Sequence, residues 1–485
     1  RWGIENGYDD VVQFPFGFGL SYSEFEWSVD SISPDDGATL TADGKITLNV
    51  VVKNVGDVAA KDVVQVYYSA PYYTGGIEKS SINLVAFAKS KLLEPDESEI
   101  IPISFDVEDM KSYDCYDRND NGFMGYELEA GEYEITLRTD VHTLKEIERG
   151  RGQNTYTFTV PSADGEKTGF KYETDTATGN KVENRFTTFT NESTGASSEI
   201  YEPAVYAAHS IDGSEEPEKL TYVTRADFAG TFPYEKAPNR AAGRELYDTT
   251  YRIKIMPVNK VYGDDASVTV PACDSKATNY MITDLYGVEY DDPMWDDLVS
   301  QLSFEEKMQL VVNAGDKNPS GFRSMAIPRL GKQETLDSDG PSGFNNNVLG
   351  KNDMKAVNYP CSTILAQTWD WYTAYQVGLA IGEEGNALGI TGWYGPGGEL
   401  HRSPLGGRNF EYYSEDPVLS GTICAYHVLG AKERGVTAYI KHFVGNNMES
   451  GRCGAYEWMT EQNLRENYLR AYEIAVKEGE ANGLM

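Results

Sequence analysis

Paired cysteine motifs, long apolar runs and positive charge are what this sequence has least of. Its five cysteines (Cys115, Cys273, Cys361, Cys424, Cys453) are scattered, odd in number and form no C-x-x-C pair. Neither a zinc site nor a disulfide framework is indicated, so the thiols read as ordinary ones and no metal ligand is assigned. No apolar run approaches the roughly 18 residues of a membrane helix. The opening Arg-Trp-Gly-Ile-Glu is neither a signal peptide nor an initiator sequence. Only 42 basic residues stand against 76 acidic ones, and the net charge of -34 sets up a field that repels nucleic acid and anionic membranes. Nucleic acid and membrane are therefore not expected partners. The acidity itself is ordinarily a matter of solubility or of a salty habitat. At 485 residues the chain exceeds what one core supports, so two or three domains are expected.

What is present first is a series of short β runs between Phe14 and Val160, among them "KITLNVVVKNVG", "DVVQVYYSAP", "EIIPISFDV" and "NTYTFTV". Ile46, Leu48, Val50 and Val52 fall at every second position, and turn signals separate the runs, which suits an immunoglobulin-like antiparallel sandwich. Within it "DRNDNG", Asp117 to Gly122, partly imitates a calcium loop. Leu128 stands at the twelfth position, where a bidentate Glu is required, and a plain polar loop is the favoured reading. Residues 161–290 are polar and without sustained period, as an extended connector would be.

Past Asp291 helices alternate with short apolar runs, the pattern of β/α architecture. Ser303 followed by Glu306 is a capping box opening "FEEKMQLVVNAG". In "EQNLRENYLRAYEIAVKEG", Leu464, Tyr468, Tyr472 and Val476 share one face, and Gly479 is read as the stop. Strand ends fall near Leu336, near Trp393, at Ile440 and in the closing "NGLM". Spacings of some 40 to 60 residues fit βα units, and in a closed barrel of such units the chemistry gathers at the C-terminal strand ends. Polar residues fall there: Asp337 and Asp339 after the first, "GPGGELHRSPLGGRNFE" after the second, Lys441 and His442 after the third. A closed barrel needs eight strands in typically ~250 residues. About four are present before Met485, so the expectation is the first half of a barrel.

The strand-end set is Asp339, Arg408, Lys441, His442 and Arg452, with Trp369, Trp371, Trp393 and Tyr394 among nearby aromatics. One carboxylate, several fixed donors and aromatic faces can hold a neutral polyhydroxylated ring, because hydroxyls donate and accept while aromatics cover the C–H face. Each residue has a plainer alternative. Asp339 can start an Asp-Gly-Pro turn, Arg408 can pair with Glu411 or Glu415, and His442 can be a packed core histidine. Their joint occurrence at successive strand ends favours the sugar site.

"FPFGFGLSYSEFEW", "LSFEEKMQL", "SDGPSGF", "GPGGELHRSPLGGRNFEYYSEDP" and "KHFVGNN" together resemble glycoside hydrolase family 3, the β-glucosidase family. The β-domain precedes the barrel motifs, which resembles the circularly permuted branch. The resemblance implies a multidomain β plus α/β fold. Residues 1–13 would be the tail of a preceding α/β sandwich domain, 14–160 a fibronectin type III-like domain, 161–290 a connector, and 291–485 the N-terminal part of a (β/α)8 TIM-type barrel. It further implies a retaining, exo-acting β-glucosidase without metal or cofactor, acting on a β-glucoside or oligosaccharide, with β-xylosidase as the alternative inside the family. A non-catalytic carbohydrate-binding protein is the alternative outside it. "KHFVGNN" departs from the "KHFPGHG" of the N-acetylhexosaminidase branch. By this resemblance Asp339, Arg408, Lys441, His442 and Arg452 hold the hydroxyls of the innermost sugar, with Glu411 supporting Arg408. Asn345 stands where some relatives carry arginine. No catalytic carboxylate is assignable: the nucleophilic Asp is expected after Met485 and the acid/base Glu before Arg1. The remainder of the same polypeptide is thus an expected partner, and the 485 residues alone are expected to be inactive. A homo-oligomer is allowed, and localisation stays open between cytoplasm and secretion, with the cytoplasm favoured.

Overall fold

The computed structural model describes residues 8, 12–163, 165, 167–185, 188–190, 197–199, 223–228, 279–312, 322–345, 355–449, 452 and 459–485. Most of the tail expected over residues 1–13 and much of the connector expected over 161–290 lie outside them. The chain divides into two compact units, one of residues 1–256 with 416–419 and 453–470, the other of residues 257–415 with 420–452 and 471–485.

In the first unit β1 (Phe25–Ser33), β2 (Lys45–Asn54) and β5 (Ser98–Asp106) form an antiparallel sheet in the order β1-β2-β5. β3 (Val63–Ser69), β4 (Asn83–Lys89), β8 (Gly131–Arg138) and β9 (Thr155–Val160) form a second, β4-β3-β8-β9. The alternation in β2 is what packs them: Ile46, Leu48, Val50 and Val52 are all 0% exposed, on one face of the pleat. They join Val64, Val66, Ile135, Leu137 and Phe158 from the other sheet in one core. A third small sheet contains β6 (Ser112–Asp114), β7 (Gly125–Leu128) and β10 (Phe170–Tyr172), with β7 in the middle. β10 lies in the stretch read as connector, so the β-domain continues past Val160. Three alternating residues are too few to register as a period, and Tyr172 is buried with its hydroxyl donating to the Ala42 carbonyl at 3.0 Å. A separate ribbon pairs β11 (Thr188–Thr190) with β12 (Ser197–Glu199).

The second unit is α/β. β13 (Phe322–Ser324) is antiparallel to β14 (Thr335–Asp339), whereas β14, β15 (Gly392–Tyr394) and β16 (Thr437–Ala438) run parallel. Two residues past β16, Ile440 makes a parallel bridge to Leu484, so the closing segment adds a fourth parallel position. α1 (Met294–Ser300) precedes α2 (Phe304–Val312), whose capping box forms as expected: Glu306 N donates to Ser303 Oγ and Ser303 N to Glu306 Oε2. α3 (Ser362–Gln367) and α4 (Trp371–Leu388) lie between β14 and β15, and α5 (Pro417–Glu433) between β15 and β16. α4 and α5 cross where Gly378 meets Gly430. A methyl on Gly378 would sit 2.2 Å from the His427 carbonyl, and one on Gly430 2.3 Å from that of Tyr375.

The last helix departs from its expected face. α6 (Glu461–Asn463) passes through a π-helical turn (Leu464–Tyr468) into α7 (Leu469–Lys477). Tyr468, Ala471, Tyr472 and Ala475 are buried, but Val476 is exposed. At 100° per residue Val476 lies about 80° round from Tyr468, outside the stripe centred on Ala475. The left-handed residue after the helix is Glu480, φ +50°, and not Gly479.

Candidate functional site

Backbone pairing brings three distant stretches of the second unit together. Gly397, in the loop after β15, bridges both Tyr412 and Lys441 in parallel. Lys441 N donates to the Pro396 carbonyl at 3.0 Å and Gly398 N to the Lys441 carbonyl at 2.8 Å. The turn Asn409–Glu411 is held from beneath. His401 Nε2 lies 2.7 and 2.9 Å from the Asn409 and Tyr412 carbonyls, and the Thr363 hydroxyl lies at similar distances from the same two. Asp339 ends β14, and its Asp-Gly-Pro turn forms, with Asp339 Oδ1 accepting from Gly340 N at 2.8 Å. The turn does not use up the carboxylate, which also reaches Lys441.

Lys441 is 1% exposed, and its ammonium lies 2.5 Å from Asp339 Oδ1 and 3.8 Å from Glu411 Oε2. A buried ammonium is tolerated only with such partners. The Asp339 side chain is 52% exposed, and its Oδ2 has no partner among the described residues. Glu411, buried, takes the Arg408 Nε hydrogen bond, so the expected support of Arg408 by Glu411 is present. Arg408 Nη1 also lies 3.8 Å from Glu449, and Arg452 Nη1 lies 3.4 Å from the same carboxylate. Arg408 and Arg452 thus share an anion. The imidazole of His442 is held down to about 3, first by burial and then by the Arg408, Lys441 and Arg452 charges. It is neutral at ordinary pH. Tyr412 hydroxyl, accepting from Asn446 Nδ2 at 2.8 Å, lies 2.9 Å from His442 Nδ1. The contact ties the Nδ1 edge of the ring to Tyr412 and leaves Nε2 as the other polar atom of the imidazole.

Asp339, Lys441, Arg408 and, through Glu449, Arg452 are joined in one chain of charge contacts, with His442 in the same field. The aromatics are a different matter. Trp393 is 0% exposed and donates Nε1–H to the Gly340 carbonyl at 2.7 Å, and Trp371 stacks on Tyr426 of α5 at 4.5 Å. Tyr394 donates to Asp337 at 3.3 Å. These rings serve the fold, and Trp369 is buried at the bend before α4.

Residues 348–485 match the glycosyl hydrolase family 3 N terminal domain, and residues 62–141 match the fibronectin type III-like domain. β-Glucosidase A of Butyrivibrio fibrisolvens is 30% identical over 484 residues, 97% of this chain and 51% of its own length. The chain belongs to glycoside hydrolase family 3. A β-glucosidase of Ruminococcus albus is likewise 30% identical, over 98% of this chain and 42% of its own. The solved structure of a β-glucosidase from Paenibacillus barengoltzii superposes with a TM-score of 0.64 at 27% identity, covering 98% of this chain and 45% of that one. The chain spans about half the length of the curated family 3 relatives it matches.

One residue of this family 3 chain that braces the cluster escaped sequence reasoning. Glu399 is 0% exposed, and it accepts from Leu400 N at 3.0 Å, Gly445 N at 2.6 Å and Asn446 N at 3.0 Å. It therefore anchors the turn after His442 to the loop after β15. The signal available was a lone carboxylate in the glycine-rich, otherwise apolar "GPGGEL". A charge there needs several donors, and backbone amides are the donors at hand.

Proposed function

We propose that the protein containing this chain is a retaining, exo-acting β-glucosidase that releases single glucosyl residues from non-reducing ends. The observation that carries the reading is the buried Lys441 ammonium on the half-exposed Asp339 carboxylate, just past the end of β16 and at the end of β14, the parallel strands that flank β15. Asp339 Oδ2, which has no partner among the described residues, can accept from a sugar hydroxyl, while Lys441 and Arg408 are donors fixed in advance and the neutral His442 ring offers Nε2. Such preorganised donors strengthen as charge develops on the sugar, and so raise kcat as well as affinity. The family membership and the β-glucosidase names of the relatives support glucose as the glycone.

On this reading the parallel sheet β14-β15-β16, with the Ile440 to Leu484 bridge, is part of a (β/α)8 barrel. Glu411 and Glu399 are committed to cations and backbone amides and are unsuited to attack. The nucleophile and the acid/base are assigned to the rest of the polypeptide. Initial rates of the full-length protein on aryl β-glucoside, β-xyloside and β-N-acetylglucosaminide test it. The β-glucoside should give the highest kcat/KM, and Asp339→Asn should lower it sharply. Turnover of none of the three overturns the enzyme reading, and preference for xyloside overturns the substrate.

A further inference from the structure

The turn between β6 and β7 carries oxygen donors that the sugar site does not use. Asp117, Asn119 and Asn121 occupy the first, third and fifth positions of a calcium-type loop, with Gly122 at the sixth. The backbone takes the corresponding bend. Asp117 Oδ1 accepts from Asn121 N at 2.9 Å and Gly122 N at 3.0 Å, and Gly122 sits at φ +73° with open space around it. Its glycine is required by conformation and not by crowding.

The acid that Leu128 fails to supply at the twelfth position comes from the residue before it. Glu127, on β7, is 1% exposed, and its Oε2 accepts from the side-chain amides of Asn119 at 2.9 Å and Asn121 at 2.8 Å. The carboxylate therefore points into the loop. Glu127 Oε1 and Asn119 Oδ1 are both buried and have no hydrogen-bond partner among the described residues. Two acceptors without a donor beside them are a costly arrangement for a native fold, about 1 to 3 kcal/mol each, and a cation relieves both at once. Burial pushes the Glu127 carboxyl up to about 7; the two amides oppose this, and Asp114 and Glu129 add to it. The nearby Lys171 ammonium bonds the Asn121 carbonyl at 3.2 Å instead.

We propose that this turn binds a hard divalent cation, Ca2+, through side-chain oxygens of Asp117, Asn119 and Glu127, tying the β6–β7 turn to the sandwich. The donors are all oxygen, which selects against zinc and copper, and their two negative charges match the ion. Ca2+ accepts a flexible loop, whereas Mg2+ demands near-octahedral geometry at shorter distances. Among the described residues no three acidic, histidine or cysteine side chains are grouped to hold a metal, so an amide oxygen completes the set. With two carboxylates the affinity belongs to the weak class, Kd on the order of 10⁻⁴ to 10⁻³ M.

The test is calorimetric titration of chelator-treated, full-length protein with CaCl2 and separately with MgCl2, alongside thermal melts in each salt. One Ca2+ per chain should bind at this loop, with a rise in Tm that MgCl2 does not reproduce. Glu127→Gln should abolish that binding, while Asp120→Asn, altering an exposed carboxylate of the same loop, should leave it intact. Asn119→Asp adds a third carboxylate and should tighten binding by about tenfold, a gain that a damaged fold does not produce. Absence of Ca2+ binding at millimolar concentration, binding unchanged in Glu127→Gln, or no tightening in Asn119→Asp each overturns the proposal.

Discussion

A lysine ammonium with 1% of its surface exposed persists only where opposite charge stands beside it, and at Lys441 that charge comes from Asp339 and Glu411. On the proposed function, removing either the ammonium or the exposed carboxylate takes away a group that would face the sugar. If the full-length protein has the proposed activity, Lys441→Ala and Asp339→Asn are each expected to lower kcat/KM on aryl β-glucoside by about 2 to 4 kcal/mol of transition-state stabilisation. Near-normal kcat/KM in Asp339→Asn would reduce that residue to its turn. Glu399→Gln puts an amide NH2 against backbone N–H groups that now find a carboxylate. About 1 to 3 kcal/mol of stability should be lost, with a drop in kcat/KM although Glu399 need not touch sugar; denaturant unfolding and steady-state kinetics read the two separately. His442 supplies a pH prediction. Its folded-state value is depressed from the ordinary 6.5 to about 3, so on acidification the unfolded chain takes up the proton first. The stability it contributes is complete above about pH 6.5 and is lost as pH falls from there towards 3. The His442 imidazole resonance should therefore not titrate between pH 5 and 8. An inflection near 6.5 would show that burial and the three cations do not act as the geometry implies.

Among the elements, helices α4 and α5 are set by contact between small residues. The Gly378 and Gly430 backbones each approach the facing helix so closely that a methyl has no room. Gly430→Ala should force the helices apart and cost about 1 to 3 kcal/mol, read as a lower midpoint in urea. Val476 is the contrasting case. It sits on the solvent side of α7, so Val476→Lys should stay within about 0.5 kcal/mol of wild type. A loss of several kcal/mol there would restore the face expected from sequence. Element existence was the easier part to read, since a capping box such as Ser303 with Glu306, or the alternation of β2, needs only neighbours along the chain. The exact face of α7 was harder, because steps of four residues drift about 40° each round the helix, which carries Val476 off the face that Tyr468 and Tyr472 share.

At the scale of the molecule, the core of the β-domain is drawn from residues 27–172. Its strands supply both faces of that core, so residues 14–185 expressed alone should fold and melt cooperatively by circular dichroism; a non-cooperative melt would mean that the core needs further chain. The order of the matched domains, fibronectin type III-like at 62–141 and then family 3 at 348–485, agrees with the motif order along the sequence. What the sequence by itself determined was local or additive: periodicity, capping, net charge, and the motifs that put Asp339, Arg408, Lys441, His442 and Arg452 at strand ends. Tertiary structure alone decided which of these meet. Lys441 joins Asp339 across 102 positions because β14, β15 and β16 pair in parallel, Glu399 becomes an anchor because the chain after His442 returns to it, and β10 completes the third sheet because β7 offers it an edge. The physical reason is the same in each case. A charge or a strand edge needs a partner, and its partner is chosen by which backbones lie side by side, which no stretch of sequence read alone contains.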